Sequence, residues 1–173
     1  LHRLLGVKLG HHLHNYANGI DDSPVLAQPE EAKGYSISTT LEDDVTDAAN
    51  AKQILLSLAD SVTAHLRLEG ARASCIAVTV RANDFKNRSH QRRLEEATDI
   101  TDEVYAVSSA LFDELWDQKT PLRLLGIALT GITKEDDAQC SLFPDEKKER
   151  ARRRDQAVDA IRGKFGANTI VRA

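Results

Sequence analysis

The sequence contains no methionine, only two cysteines and four prolines, and aromatic residues make up 5% of its 173 positions. The two thiols, Cys75 and Cys140, lie far apart and neither belongs to a CxxC pair. They are therefore expected to be reduced thiols of a cytoplasmic protein rather than part of a disulfide framework. No apolar run approaches the roughly 20 residues that a bilayer span requires, and no signal peptide opens the chain. The lack of methionine, with Leu1 already in helical sequence, reads as a piece of something longer. The shortage of aromatics excludes a sheet built to stack RNA bases, which needs aromatic residues on its central strands. Here those strands offer no such pair, and Phe85 sits at a turn.

What is present is ordinary for a folded domain: 41% hydrophobic and 29% charged residues, with a net charge of -4. Such a length allows one compact domain with attachments. The charge is unevenly spread. Arg81, Lys86, Arg88, Arg92 and Arg93 face a single acid, Asp84, and the segment from Lys147 through Lys148, Arg150, Arg152, Arg153 and Arg154 is also basic. Acids gather in Glu42-Asp43-Asp44, Glu95-Glu96 and Glu135-Asp136-Asp137. This polarity is compatible with a phosphate-binding face on an acidic body.

The first twenty residues read as helix, glycine-bounded turn (Gly6 to Gly10) and helix (His11 to Asn18). Such a hairpin leaves backbone N–H groups uncovered, and a phosphate can use them. Pro24 and Pro29 with Gln28, Glu30 and Glu31 mark an exposed tether over residues 21–32. Tyr35 to Leu41 reads as a strand, and Thr46 or Asp47 as the cap of a helix with Leu55, Leu58, Val62 and Leu66 on one face. Gly70 stops that helix. Ile76, Val78 and Val80 then alternate with Cys75, Ala77, Thr79 and Arg81, as in a strand with one apolar and one polar face. A turn at Asn83-Asp84 leads into a second, unusually polar strand, Phe85 to Leu94. Thr101 or Asp102 opens a helix with Val104, Val107, Leu111 and Leu115 on one side, and Leu122 to Ile132 forms the last strand. The order β-α-β-β-α-β predicts an α+β, ferredoxin-like split βαβ sheet over residues 33–133, with both helices on one face. Residues 134–145 read as a polar loop. Glu146 to Phe165 is a final helix, apolar only in its second half (Ala157, Val158, Ile161, Phe165) and closed by Gly166.

The uncovered sheet face decides what such a domain does. It offers hydroxyls and cations: Ser36, Ser38, Thr39, Thr40, Thr79, Arg81, Lys86, Arg88, Ser89, His90 and Thr130. These groups hydrogen-bond phosphate oxygens without reading bases. No catalytic constellation accompanies them. His11, His12 and His14 lack a carboxylate or thiol partner nearby and read as helix-face residues rather than ligands. Asp43-Asp44 and Asp136-Asp137 read as solvated loop charges rather than a magnesium site. The chain is expected to perform no chemistry itself.

Four passages resemble the C-terminal part of the Y-family translesion DNA polymerases, of the DNA polymerase IV/UmuC type. Residues 9–25 (LGHHLHNYANGIDDSPV) look like the end of that family's thumb, so residues 1–20 would be a thumb remnant. Residues 38–47 (STTLEDDVTD) look like the first strand of its little finger domain, and residues 121–132 (PLRLLGIALTGI) like the last. Gln139-Cys140-Ser141-Leu142-Phe143, followed by AVDAIRGKFG (157–166), looks like the family's sliding-clamp peptide and tail. The resemblance implies a little finger that grips the phosphates of damaged primer-template DNA. Its contact candidates are Ser36, Ser38, Thr39, Thr40, Arg81, Lys86, Arg88, Ser89, His90, Arg123 and Thr130, with Lys8 and Gly10 in the thumb hairpin. Where the family's last strand often carries further cations, Leu124 and Ala128 stand here. That leaves Arg123, inward or at the rim, and implies a low DNA affinity. Gln139, Ser141, Leu142 and Phe143 would dock on the sliding clamp, with Pro144 holding the peptide extended. The resemblance implies no cofactor for this part, since magnesium would belong to an upstream palm, and no membrane partner. Two alternatives remain open from the residues: a clamp-tethered adaptor paralogue without catalytic activity, and a free-standing ferredoxin-like regulatory domain.

Overall fold

Leu55, Leu58, Val62 and Leu66 come down together on one side of a four-stranded sheet in a computed structural model of the chain. It describes residues 2–25, 32–134, 145–167 and 169–172. The chain divides into two compact units, Leu1–Glu31 and Ala32–Ala173.

The first unit consists of α1 (His2–Leu5) and α2 (Val7–Ala17). Gly6, at φ 77°, turns the chain between them. Gly10 is the buried residue of α2, because a β-carbon there would stand 2.5 Å from the His2 ring. The expected turn from Gly6 to Gly10 is thus shorter, and the second helix already begins at Val7.

In the second unit the strands are β1 (Gly34–Val45), β2 (Ala71–Ala82), β3 (Asn87–Thr98) and β4 (Leu122–Lys134). They pair in the order β1-β4-β2-β3, every neighbouring pair antiparallel. The helices α3 (Ala48–Leu68) and α4 (Thr101–Leu115) make the two crossings, so β1-α3-β2 and β3-α4-β4 are interleaved split βαβ units. This is the predicted α+β, ferredoxin-like arrangement. Asp47 caps α3, its carboxylate accepting from the Asn50 amide at 2.8 Å.

Alternation along the strands sends Ile76, Val78 and Val80 of β2 and Leu125, Ile127 and Leu129 of β4 toward the helices, where all six are buried. Ala51, Leu55, Ala59 and Leu66 of α3 and Val104, Leu111 and Phe112 of α4 meet them, each with no exposed surface. Val107 and Leu115 only flank this core, since the buried stripe of α4 is centred on Val104, Ser108, Leu111 and Phe112. Ser108 brings a hydroxyl into the core, and its Oγ finds no hydrogen-bond partner among the described residues.

The last helix, α5 (Glu146–Phe165), is attached by different means. Asp155 is fully buried and accepts the Thr101 amide at 2.9 Å, so it caps the N-terminus of α4 from outside that helix. No side chain next to the start of α4 does so. Arg67 of α3 forks onto Asp159 at 2.6 and 3.2 Å and also donates to the Asp99 carbonyl at 2.7 Å. Arg172 closes the array, reaching Asp155 at 2.5 Å, Asp102 at 2.6 Å and Asp60 at 3.1 Å. Burial of Asp155 opposes its ionisation, but the Thr101 amide and the Arg154 and Arg172 guanidiniums outweigh it and hold the carboxyl below its ordinary value. Of the expected apolar half, Val158 is half-buried, whereas Ala157 is exposed, Ile161 is 38% exposed and Phe165 is 64% exposed.

Candidate nucleic-acid interface

The side of the sheet away from α3 and α4 is built from four rows of residues in cross-strand register. Gly34, Ser36, Ser38 and Thr40 of β1 stand opposite Thr130, Ala128, Gly126 and Leu124 of β4. Those oppose Cys75, Ala77, Thr79 and Arg81 of β2, and Arg93, Gln91, Ser89 and Asn87 of β3 complete the rows. The middle of this surface is low. A β-carbon on Gly126 would lie 3.0 Å from Cβ of Ser38 and 3.4 Å from the Ile37 carbonyl, so glycine keeps the β1–β4 contact close. Ser36, Ser38, Thr79, Arg81, Leu124 and Ala128 line the resulting shallow trough. Its walls are hydroxyls and one cation, and its floor is backbone and small apolar groups. Arg81 is steadied by Asn87, whose Oδ1 accepts from Nε at 2.7 Å. Such a surface can donate hydrogen bonds and positive charge to phosphate oxygens along a backbone, and it has no π-face for a base.

Ser36, Ser38, Thr40, Arg81, Ser89 and Thr130 share this surface, together with Thr79. Thr39, Arg88 and His90 do not. Thr39 is paired with buried Leu125, Arg88 with buried Val80, and His90 with buried Val78, so all three point to the helix side. The side-chain period of a strand is two, and Ser38, Thr39 and Thr40 cannot all share one face. On the helix side His90 Nδ1 lies 3.0 Å from Glu114 of α4, and Arg92 reaches the same carboxylate at 2.6 Å. Lys86 lies in the β2–β3 turn with its ammonium 2.8 Å from Asp84, and this contact holds the Asp84 carboxyl below its ordinary value. Arg123 is at the rim. It sits 5.2 Å from the centre of the Phe85 ring and 3.7 Å from Asp44.

In the first unit Lys8 is exposed in the opening turn of α2, where the amides of Val7, Lys8 and Leu9 precede the first intrahelical bond. Gly10 differs from the expectation. Its amide donates to the Gly6 carbonyl at 3.0 Å, which makes it a helix-packing glycine rather than an open phosphate donor. Gln139, Ser141, Leu142 and Phe143 lie outside the described residues. Three polar residues of β3 on the open surface, Asn87, Gln91 and Arg93, stand outside the expected contact set. Their signal was the two-residue spacing from Ser89. Among the described residues no group of three or more His, Cys, Asp and Glu side chains is gathered to hold a metal ion. Nor is any described helix long and apolar enough to cross a membrane.

Comparison with known proteins places these features. The model of the impB/mucB/samB family C-terminal domain matches residues 32–142. A DNA polymerase IV of Clostridium acetobutylicum is 35% identical over 164 residues, covering 95% of this chain and 41% of its own length. One of Pelotomaculum thermopropionicum is 34% identical over 166 residues, with 95% and 41% covered. The chain therefore spans less than half the length of these curated relatives. Among solved structures, the Y-family DNA polymerase chimera Dbh-Dpo4(243-245)-Dbh superposes with a TM-score of 0.58 at 19% identity, covering 78% of this chain and 38% of that one. An insertion ternary complex of Dbh DNA polymerase gives 0.53 at 18% identity, with the same coverage. At such identities the structural likeness speaks for the fold. The chain belongs to the impB/mucB/samB family, and residues 32–142 match its C-terminal domain, a Y-family little finger domain.

Proposed function

We propose that this chain is the DNA-gripping and clamp-docking part of a lesion-bypass polymerase whose catalytic palm, with its magnesium, lies upstream in the full protein. The observation that carries the DNA half is the four-row surface itself. One side of the sheet is hydrocarbon under two helices, and the other is Ser, Thr, Gly and Arg around a trough. Hydroxyls and cations in register favour a phosphate backbone, and the absence of aromatic residues from the rows favours sequence-insensitive contact. Arg81, Arg93 and the hydroxyls of Ser36, Ser38, Thr79 and Ser89 are the contacts on this reading, with Lys86 and Arg123 at one end. Binding to a primer-template duplex should be insensitive to sequence and should weaken steeply with salt. Equal affinity at low and high salt, or no binding at low salt, would refute it.

Clamp docking rests on the Gln139-to-Phe143 pattern and its place between the little finger and α5. Leu142 and Phe143 would fill an apolar pocket, with Gln139 and Ser141 hydrogen-bonding at its mouth. A polymerase with a modest DNA grip gains effective concentration from a ring threaded on the same duplex. Leu142→Ala with Phe143→Ala should cost about 2 kcal/mol or more of clamp affinity. Unchanged clamp binding by the double variant would remove that half. A cytoplasmic location accords with such a role.

A further inference from the structure

Phe85 is placed where folding alone gives no reason for a phenylalanine. It stands in the β2–β3 turn at φ 64°, a left-handed conformation that glycine or asparagine adopts with less strain. It is also 66% exposed, so burial of the ring does not offset that strain. The turn is closed without help from the side chain: the Phe85 amide donates to the Ala82 carbonyl at 3.0 Å and the Ala82 amide to the Lys86 carbonyl at 3.1 Å. One face of the ring is taken, because the Arg123 guanidinium lies over it, 5.2 Å from its centre, and the other face is left for a partner. Arg81 and Asn87, the last row of the open surface, end at this same turn.

We propose that Phe85 and Arg123 form a stacking platform for an unpaired nucleobase of the single-stranded template overhang. The inference rests on the DNA-binding reading above and extends it from duplex backbone to a particular part of the nucleic acid. The four rows carry hydroxyls and cations but no ring, so they suit phosphates. The platform at their end joins an aromatic face to a guanidinium, the pairing that holds single-stranded bases whatever their sequence. Bases inside a duplex are already stacked on both faces, so an unpaired base offers Phe85 a face that the duplex interior does not. Lys86, with 80% of its side chain exposed, stands next to the ring to meet the overhang's phosphates. Asp84 and Asp44 pair with Lys86 and Arg123 at 2.8 and 3.7 Å and temper the local charge, which leaves stacking the larger share of the contact.

The test compares the 173-residue chain with its Phe85→Gly and Phe85→Tyr variants on two DNAs: a blunt duplex, and the same duplex with a single-stranded 5′ template overhang carrying 2-aminopurine next to the junction. The parent chain should bind the overhang DNA more tightly than the blunt one and change the fluorescence of the reporter base. Phe85→Gly should fold at least as stably, since glycine accepts the left-handed turn. It should lose roughly ten-fold in overhang affinity, together with the fluorescence change, and keep its blunt-duplex affinity. Phe85→Tyr should retain both. A Phe85→Gly variant that binds overhang DNA like the parent would overturn the proposal and assign the ring to a protein contact. A parent chain that binds both DNAs equally would also overturn it, while leaving the duplex-grip reading intact. Failure of the parent to bind either DNA is the separate outcome that removes the DNA-binding reading itself.

Discussion

The two sides of one sheet differ in chemistry across its central strands, β4 and β2, while sharing the same backbone. On the covered side Ile76, Val78, Val80, Leu125, Ile127 and Leu129 are buried under α3 and α4. On the open side Ser36, Ser38, Thr79, Arg81, Ser89 and Thr130 meet solvent around Gly126. The covered side carries stability and the open side is the proposed binding surface, so substitutions should separate cleanly by face. A second contrast lies within the covered side. The helices α3 and α4 are held by hydrocarbon, whereas α5 is held by Asp155, Asp159, Arg67 and Arg172, charges whose attraction depends on protonation.

The largest expected effect breaks that second contrast. Asp155→Ala removes the cap of α4 and leaves Arg154 and Arg172 without their buried partner, which should cost about 3–5 kcal/mol of stability in denaturant unfolding. Acid should act in the same direction. The Asp155 carboxyl titrates below its ordinary value of 3.8, so its contribution is complete above about pH 4 and is lost as pH falls through the lower folded value. Circular dichroism against pH should show stability lost in this window for the parent and not for Asp155→Ala.

Truncating the covered side comes next. Leu125→Ala should cost about 2–5 kcal/mol by calorimetry or denaturant unfolding, because the site has no exposed surface. Its neighbour Leu124 faces the open trough and is only partly buried, so Leu124→Ala should cost about 1 kcal/mol or less. Equal costs at the two positions would contradict the division of faces. The smallest effect is at Ser108. Its Oγ is buried without a partner, and Ser108→Ala should be neutral or stabilising by about 1 kcal/mol in the same measurement.

Apolar recurrence at helix or strand spacing marks the core in α3 and β2. The stripe through Leu55, Leu58, Val62 and Leu66 and the alternation through Ile76, Val78 and Val80 both fell on the core. The edge strand β3 was harder, because Arg88, His90 and Arg92 on one face are as polar as Ser89, Gln91 and Arg93 on the other. Its phase is set by pairing with β2, which places Arg88 opposite Val80 and Ser89 opposite Thr79, and no local pattern carries that information. Hence nothing local separates Arg88 and His90 from Ser89, Gln91 and Arg93, whereas Thr39 is kept off the open surface by its place between Ser38 and Thr40. The docking of α5 was also hidden. Its apolar second half, Ala157, Val158, Ile161 and Phe165, suggests an apolar contact, yet the helix is held largely through ion pairs such as Arg67–Asp159, whose partners lie 92 positions apart in sequence. The glycines of residues 1–20 mark the helical hairpin, but the role of Gly10 in the approach of α1 to α2 is a matter of packing that spacing does not show.

The claim that the open side grips DNA is tested most directly by two double variants that remove the same charge from opposite faces of β2 and β3. Arg81→Ala with Arg93→Ala clears the open side, and Arg88→Ala with Arg92→Ala clears the helix side. The measurement is the slope of log binding constant against log salt on one primer-template DNA. The open-side variant should bind more weakly, with a slope shallower by roughly 2, about 0.9 for each lost phosphate contact, while the helix-side variant keeps nearly the parent slope. Equal slopes for the two double variants, or an unchanged slope in the open-side variant, would contradict the account.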